Sequence, residues 1–256
     1  MKITVYVEGK TIPMQKINDW ELKRTIVVAR FLQSKLNLPK QDITRDKNGL
    51  RDIAAIRAGL TKIKTEAGID KLRSILNRRL AVSTVAIKLF NSICGRRRTY
   101  SVTEILVEGC TAEEMYDRCF KLMLKNTPQN LNYCLSANPD HYILISTGEN
   151  VQEVIEAPAS APLQTQFFIY YGNDKGLTSK ADSSYPCQIA GVCCLKDGTC
   201  IGGVRHQMRN EGNGFRAKLL IEFPRLMPKH MIKEHQLHLA CEFTNWFNDL
   251  VNDPNL

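Results

Sequence analysis

Residues 188–223, QIAGVCCLKDGTCIGGVRHQMRNEGNGFRAKLLIEF, decide the fold. Two apolar-rich runs, 188–195 and 201–209, flank Lys196-Asp197-Gly198-Thr199. Asp-Gly between such runs is the pair that a tight hairpin with positive φ demands. Asn210-Glu211-Gly212-Asn213-Gly214 turns the chain again into a third run, 215–223. Because side chains alternate along a strand, Val204, His206 and Met208 share one face, and Arg205, Gln207 and Arg209 share the other. On the third run Phe215, Ala217, Leu219, Ile221 and Phe223 face the core, leaving Arg216, Lys218 and Glu222 in solvent. His206 therefore sits on the apolar side.

Toward the C-terminus, Pro228 marks the first turn of a long helix. On it His238 and Glu242 are one turn apart, flanked by His235 and Asn245. An imidazole and a carboxylate at this spacing can grip one zinc ion, although the same spacing is common in surface pairs. Toward the N-terminus lie further strands at 166–171, 151–156 and 142–146, with His141 opening the last of these. Thr111-Ala112-Glu113-Glu114 is a capping box for a helix through Met115, Phe120 and Leu122, and 104–107 is a strand before it. Strand, helix, a run of antiparallel strands and a long final helix give an α+β chain. This is the order of a helix-grip (START-like) antiparallel sheet around a C-terminal helix, whose inward stripe faces a ligand cavity.

His141 is on the parity of Ile143 and Ile145, which directs it to the cavity mouth. On the strand 151–156, Glu153 aligns with Val151 and Ile155, and Glu156 with Gln152 and Val154, so alternation leaves both acids open. A buried acid is costly without a cation or a proton, so whichever faces inward is a ligand candidate. The inward set is then His141, one of these acids, His206, His238 and Glu242, and two histidines with two glutamates around Zn2+ are its simplest account. His206 looks into the same cavity.

The chain has 256 residues and a formal net charge of +9. Residues 1–100 carry 22 basic against 8 acidic side chains, and 101–256 carry 13 against 18. All five histidines and nine cysteines lie beyond residue 93. The break predicts a basic, mainly helical region over 1–100 and a domain over 101–256 that holds the chemistry. The first region reads as a short strand pair (Ile3 to Pro13), then a helix capped at Asn18-Asp19 that stops near Pro39. A second helix runs through Ile53 to Ile63, a third begins after Ala67-Gly68, and a fourth holds Val85 to Phe90. Arg96-Arg97-Arg98 closes the region. Its cations are either solvated faces or a nucleic-acid contact. The first is favoured, because no zinc spacing, helix-turn-helix glycine or aromatic RNA-binding signature is present.

The nine cysteines contain no Cys-x-x-Cys pair, which excludes zinc-ribbon and thioredoxin readings. With Met1-Lys2-Ile3-Thr4-Val5 reading as a strand rather than a signal segment, reduced thiols in a cytoplasm are expected. No apolar run approaches 18 residues, so a membrane span is excluded and no membrane partner is expected. A homodimer stays open.

His238-Leu239-Ala240-Cys241-Glu242-Phe243-Thr244-Asn245 resembles the His-x-x-x-Glu-Phe-x-Asn segment of the 2,4-diacetylphloroglucinol and phloretin hydrolases. His206-Gln207-Met208-Arg209, with Gly212, Gly214 and Arg216, resembles that family's histidine-bearing hairpin. The resemblance covers residues 103 to 250. It implies a helix-grip fold and a zinc-dependent hydrolase that cleaves the carbon-carbon bond between an acyl group and a phenolic ring, with a small phenolic ketone as substrate. His141, Glu156 (or Glu153), His238 and Glu242 would hold zinc. His206 would face the substrate, with Tyr142 or Tyr170 as further proton-handling groups. The sequence departs from the family in lacking a histidine just before His141 and in the short spacing from His141 to either glutamate. Two other classes compete: a helix-grip carrier of a small apolar or aromatic ligand without chemistry, and a nucleic-acid-associated protein acting through residues 1–100.

Overall fold

Apolar alternation in residues 3–12 and 98–108 builds one end of a sheet, and the hairpins of 141–224 build the rest. The structure, a computed structural model, describes residues 2–39 and 52–252. Strands β1 (Ile3–Val7) and β2 (Lys10–Ile12) are followed by α1 (Met14–Leu36) and α2 (Ile53–Cys94). Then come β3 (Arg98–Glu108), α3 (Ala112–Leu124), α4 (Pro128–Ala137), β4 (His141–Gly148), β5 (Val151–Glu156) and β6 (Thr165–Tyr171). The chain ends with β7 (Cys187–Cys194), β8 (Cys200–Glu211), β9 (Gly214–Pro224) and α5 (Lys229–Asn252). Among the described residues, nine strands form one antiparallel sheet in the order β2-β1-β3-β9-β8-β7-β6-β5-β4. The protein is α+β, with a C-terminal helix laid against the sheet, an architecture compatible with a helix grip.

Local signals account for most boundaries. The capping box at Thr111 and Glu114 is present. The helix expected from Asn18-Asp19 instead begins at Met14, directly after Pro13, and the Asp19 side chain accepts from Gln15 within it. In α2, Asp52 caps the start and Gly68, at φ 74° and ψ 162°, breaks the helix where a break is expected. The expected separation between the third and fourth helices is absent, because residues 69–94 contain neither glycine nor proline to interrupt them. Helix α4 is unforeseen, yet Thr127 caps it and Pro128 occupies its first turn.

Two cores result. Phe215, Ala217 and Leu219 of β9 pack with Leu239, Phe243, Phe247 and Leu250 of α5 on one face. On the other face, Tyr142, Ile143 and Ile155 pack under Val28 and Leu32 of α1 and Leu60, Leu72 and Leu76 of α2. The compositional break at residue 100 is not a break in the sheet, since β1 pairs with β3. Several of the basic side chains of residues 1–100 are turned inward: Arg57 grips Glu21, Arg73 grips Glu153, and Arg24 grips Asp140.

The sheet's outer face also departs from expectation. Glu222, Arg205 and Gln207 are buried, because the stretch 172–186 lies across them. Glu222 accepts from the amides of Thr178 and Ser179, and Gln207 bonds the backbone of Asp182. Gly203 allows this stretch to close: a Cβ there would lie 2.1 Å from Leu177.

Candidate metal centre

Four ligand-type side chains arrive at one point from three elements. Strand pairing sets His141 opposite Glu156 across β4 and β5, and α5 brings His238 and Glu242, one turn apart. The His141 Nε2 lies 3.6 Å from Glu156 Oε2 and 3.6 Å from Glu242 Oε1. His238 Nε2 lies 3.7 Å from Glu156 Oε2 and 3.7 Å from Glu242 Oε2. These separations are too long for hydrogen bonds. They suit a shared ion: ligand atoms about 2.1 Å from one centre at tetrahedral angles stand roughly 3.4 Å apart.

The protonation pattern supports the same use. His141 Nδ1 is 2.7 Å from the Cys134 carbonyl, which only accepts, so Nδ1 carries the hydrogen and Nε2 presents its lone pair. That Nε2 is buried and without a hydrogen-bond partner; in His238 the unpartnered buried nitrogen is Nδ1, whereas the nitrogen beside the carboxylates is Nε2. Burial lowers the His141 imidazole to about 3 and takes His238 well below its usual range, so both are neutral. Burial pushes the Glu156 carboxyl up to about 8, and burial plus the neighbouring Glu156 pushes Glu242 well upward. Among the described residues, no protein cation pairs with these two carboxyls. The donor set therefore fits a bound cation, which would replace the protons. Among the described residues, His141, His238 and Glu242 form one triad whose ligand atoms lie within 4.8 Å of one another, and Glu156, His235 and His238 form a second.

The centre opens on a cavity of about 150 Å³ lined largely by apolar side chains, among them Phe167, Ile169, Val204, Leu239, Phe243 and Trp246. His206 reaches it from β8. Burial lowers its imidazole to about 3, its Nδ1 has no partner, and its ring meets Phe243 edge-on at 4.9 Å.

Alternation alone misplaces two groups. The β4–β5 register shifts between His141 and Ile143, a bulge that puts Ile143 and Ile145 toward α1 and α2 while His141 faces the cavity. Tyr142, expected beside the reacting groups, consequently points to the helix side. There its hydroxyl accepts from Gln164 at 3.0 Å and its ring meets Phe31 edge-on. Tyr170 is half-exposed and does not line the cavity. Tyr171 does, with its hydroxyl donating to Gln152 at 2.8 Å. Of the two candidate acids, Glu156 is at the centre. Glu153 is turned to the helix side, where Arg73 and Gln166 hold it. His235, which flanks the ligand stripe of α5, is buried. Its Nδ1 is 3.1 Å from Ser101 Oγ, and it stacks on His238 with ring centroids 5.1 Å apart.

Two buried cations from residues 1–100 brace the turn that precedes His141. Arg24 makes a bidentate pair with Asp140, next to His141, with contacts of 2.7 and 2.9 Å. Lys64 donates to the Pro139 carbonyl at 2.9 Å and approaches the Leu135 and Asn138 carbonyls at 3.4 Å. Asn138 donates to the His238 carbonyl at 3.2 Å. The signal was local: Arg24 lies on the stripe of Trp20 and Val28, and Lys64 on that of Ile56 and Leu60, each a cation at a core position of its helix. No protein-family model and no curated protein matches this chain.

Proposed function

We propose that this protein is a zinc-dependent hydrolase that cleaves the carbon-carbon bond between an acyl group and a phenolic ring. The observation that carries the reading is the quartet His141, Glu156, His238 and Glu242, with paired imidazole and carboxylate atoms 3.6 to 3.7 Å apart and, among the described residues, no protein cation beside them. Its wall on an apolar cavity and the likeness of residues 238–245 to the acylphloroglucinol hydrolases support it. A START-like helix grip is the finer fold reading that goes with it, and a cytoplasmic setting accords with the free cysteines.

When bound, zinc supplies Lewis acidity toward a ketone oxygen and toward water. The chain's own groups do the rest. The Cys134 carbonyl fixes the tautomer of His141, and Asn138 steadies the turn of α5 that carries His238. The apolar walls exclude bulk water and seat a ring face against Phe243 or Trp246. His206, neutral and with Nδ1 unpartnered, is placed to accept a proton from water or a ring hydroxyl and then to deliver that proton to the leaving ring carbon.

A carrier without chemistry would use the same apolar cavity, and metal content separates the two. Wild-type protein purified without chelator, with zinc supplied, is expected to hold one zinc per chain by elemental analysis. The His238→Ala, Glu242→Ala variant is expected to hold none while keeping its circular dichroism spectrum. A zinc-free wild type under these conditions would sink the hydrolase reading.

A further inference from the structure

The five most exposed large apolar side chains among the described residues fall in one place. Val82, Val85, Leu89 and Ile93 of α2 are 59, 68, 64 and 59% exposed, and Leu226 is 56% exposed, whereas the next, Val27, is 48% exposed. At 100° per residue the four α2 positions lie on one stripe. Leu226 joins them at the helix end, where the Arg225 amide donates to the Arg97 carbonyl at 3.0 Å. Scattered apolar side chains need no explanation, but a contiguous stripe marks a contact surface.

The charge around the stripe says what covers it. From Lys71 to Arg98 the chain carries eight basic residues and no acidic one. Arg78, Arg96, Arg97, Arg225 and Lys229 are exposed around the stripe's ends. The nearby Asp197 is already paired with Lys88. A second copy docked through the same stripe would bring like charges together. Nucleic acid would leave the apolar residues in water. An apolar helix face framed by arginines and lysines matches the interface of a bilayer with anionic headgroups. The expectation of no membrane partner rested on the lack of a span, and a surface contact needs none.

The stripe also adjoins the cavity. Ile87 and Phe90 of the same helix line it, as do Phe223, Pro224 and Met227 beside Leu226. We propose that this face of α2, with Leu226, seats on an anionic lipid surface, so that the cavity takes its apolar ligand from the lipid phase.

Co-sedimentation with vesicles tests this. Wild-type protein is expected to pellet with phosphatidylcholine vesicles containing phosphatidylserine, and at least about tenfold less with phosphatidylcholine alone or in high salt. Leu89→Glu with Ile93→Glu, at exposed sites that leave the fold intact, abolishes pelleting. Arg96→Glu with Arg97→Glu removes the preference for anionic lipid, and Val27→Glu changes nothing. The proposal is overturned if wild type does not bind anionic vesicles, or if Val27→Glu weakens binding as much as the stripe variant. A wild-type dimer in sedimentation velocity that Leu89→Glu splits, without vesicle binding, would make the face an interface between copies. Binding of a duplex oligonucleotide in place of vesicles would also overturn it.

Discussion

The two faces of the β4–β5 hairpin bury carboxylates in opposite ways. On the side covered by α1 and α2, Asp140 has both Arg24 nitrogens within 2.9 Å, and Glu153 has Arg73 at 2.6 Å. On the cavity side, Glu156 and Glu242 face the imidazoles of His141 and His238, with His235 also near Glu156, and burial keeps all three neutral. Burying a carboxylate without a cation costs several kcal/mol, and the helix side shows that this chain places arginines where it needs them. Among the described residues, the cavity side has two carboxyls and no cation beside them, so a cation supplied from outside could take the place of their protons.

The largest effect that can break this comparison is on the paired side. Arg24→Met leaves Asp140 buried without its partner and should destabilise the fold by about 3–5 kcal/mol, read from urea unfolding. Zinc content should fall with it, because Asp140 precedes His141. A loss under about 1 kcal/mol would mean that Asp140 is neutral and that the two faces do not differ as described.

Lys64 gives a smaller, pH-dependent effect. Burial lowers its ammonium to about 7 against an unfolded value of 10.5, with Asp140 pulling the other way. Between those values the unfolded chain binds more protons, so this residue makes stability rise as pH goes from 7 to 10.5. Below 7 its contribution is flat and unfavourable. Wild type should therefore gain on Lys64→Met by about 1–3 kcal/mol between pH 7 and 9.5 in parallel urea titrations, an upper range set by about 1.4 kcal/mol per unit. Parallel curves would show that Lys64 stays charged through the window.

How much of this was legible in the sequence follows from range. The strands of 188–223 were readable because Asp197-Gly198 and Gly212 to Gly214 punctuate them locally, and their pairing in one antiparallel sheet follows. His238 and Glu242 on one helix stripe were readable for the same reason. What failed depended on contacts distant in sequence or on one irregular residue. Glu222 is buried by a stretch some forty positions away, and nothing near it announces that. The bulge after His141 inverts the parity of β4, so Tyr142 could not be placed by alternation. Glu153 and Glu156 share a strand and differ only in which neighbour each meets, Arg73 or His141.

That last pair allows the finest test. Glu153→Gln removes a charge opposite Arg73, whose side chain is 36% exposed and can turn to water, so the loss should be about 1 kcal/mol or less and zinc content unchanged. Glu156→Gln replaces a carboxyl that burial keeps protonated in the absence of an ion with a neutral amide of the same shape. Metal-free protein should then unfold within about 1 kcal/mol of wild type, while zinc affinity drops about tenfold or more in chelator competition. Stability and metal binding would thus separate across two positions three residues apart. If instead Glu156→Gln destabilised the metal-free protein strongly and left zinc affinity intact, Glu156 would be a structural group held by its protein neighbours, like Glu153. The contrast between the two faces would then be lost.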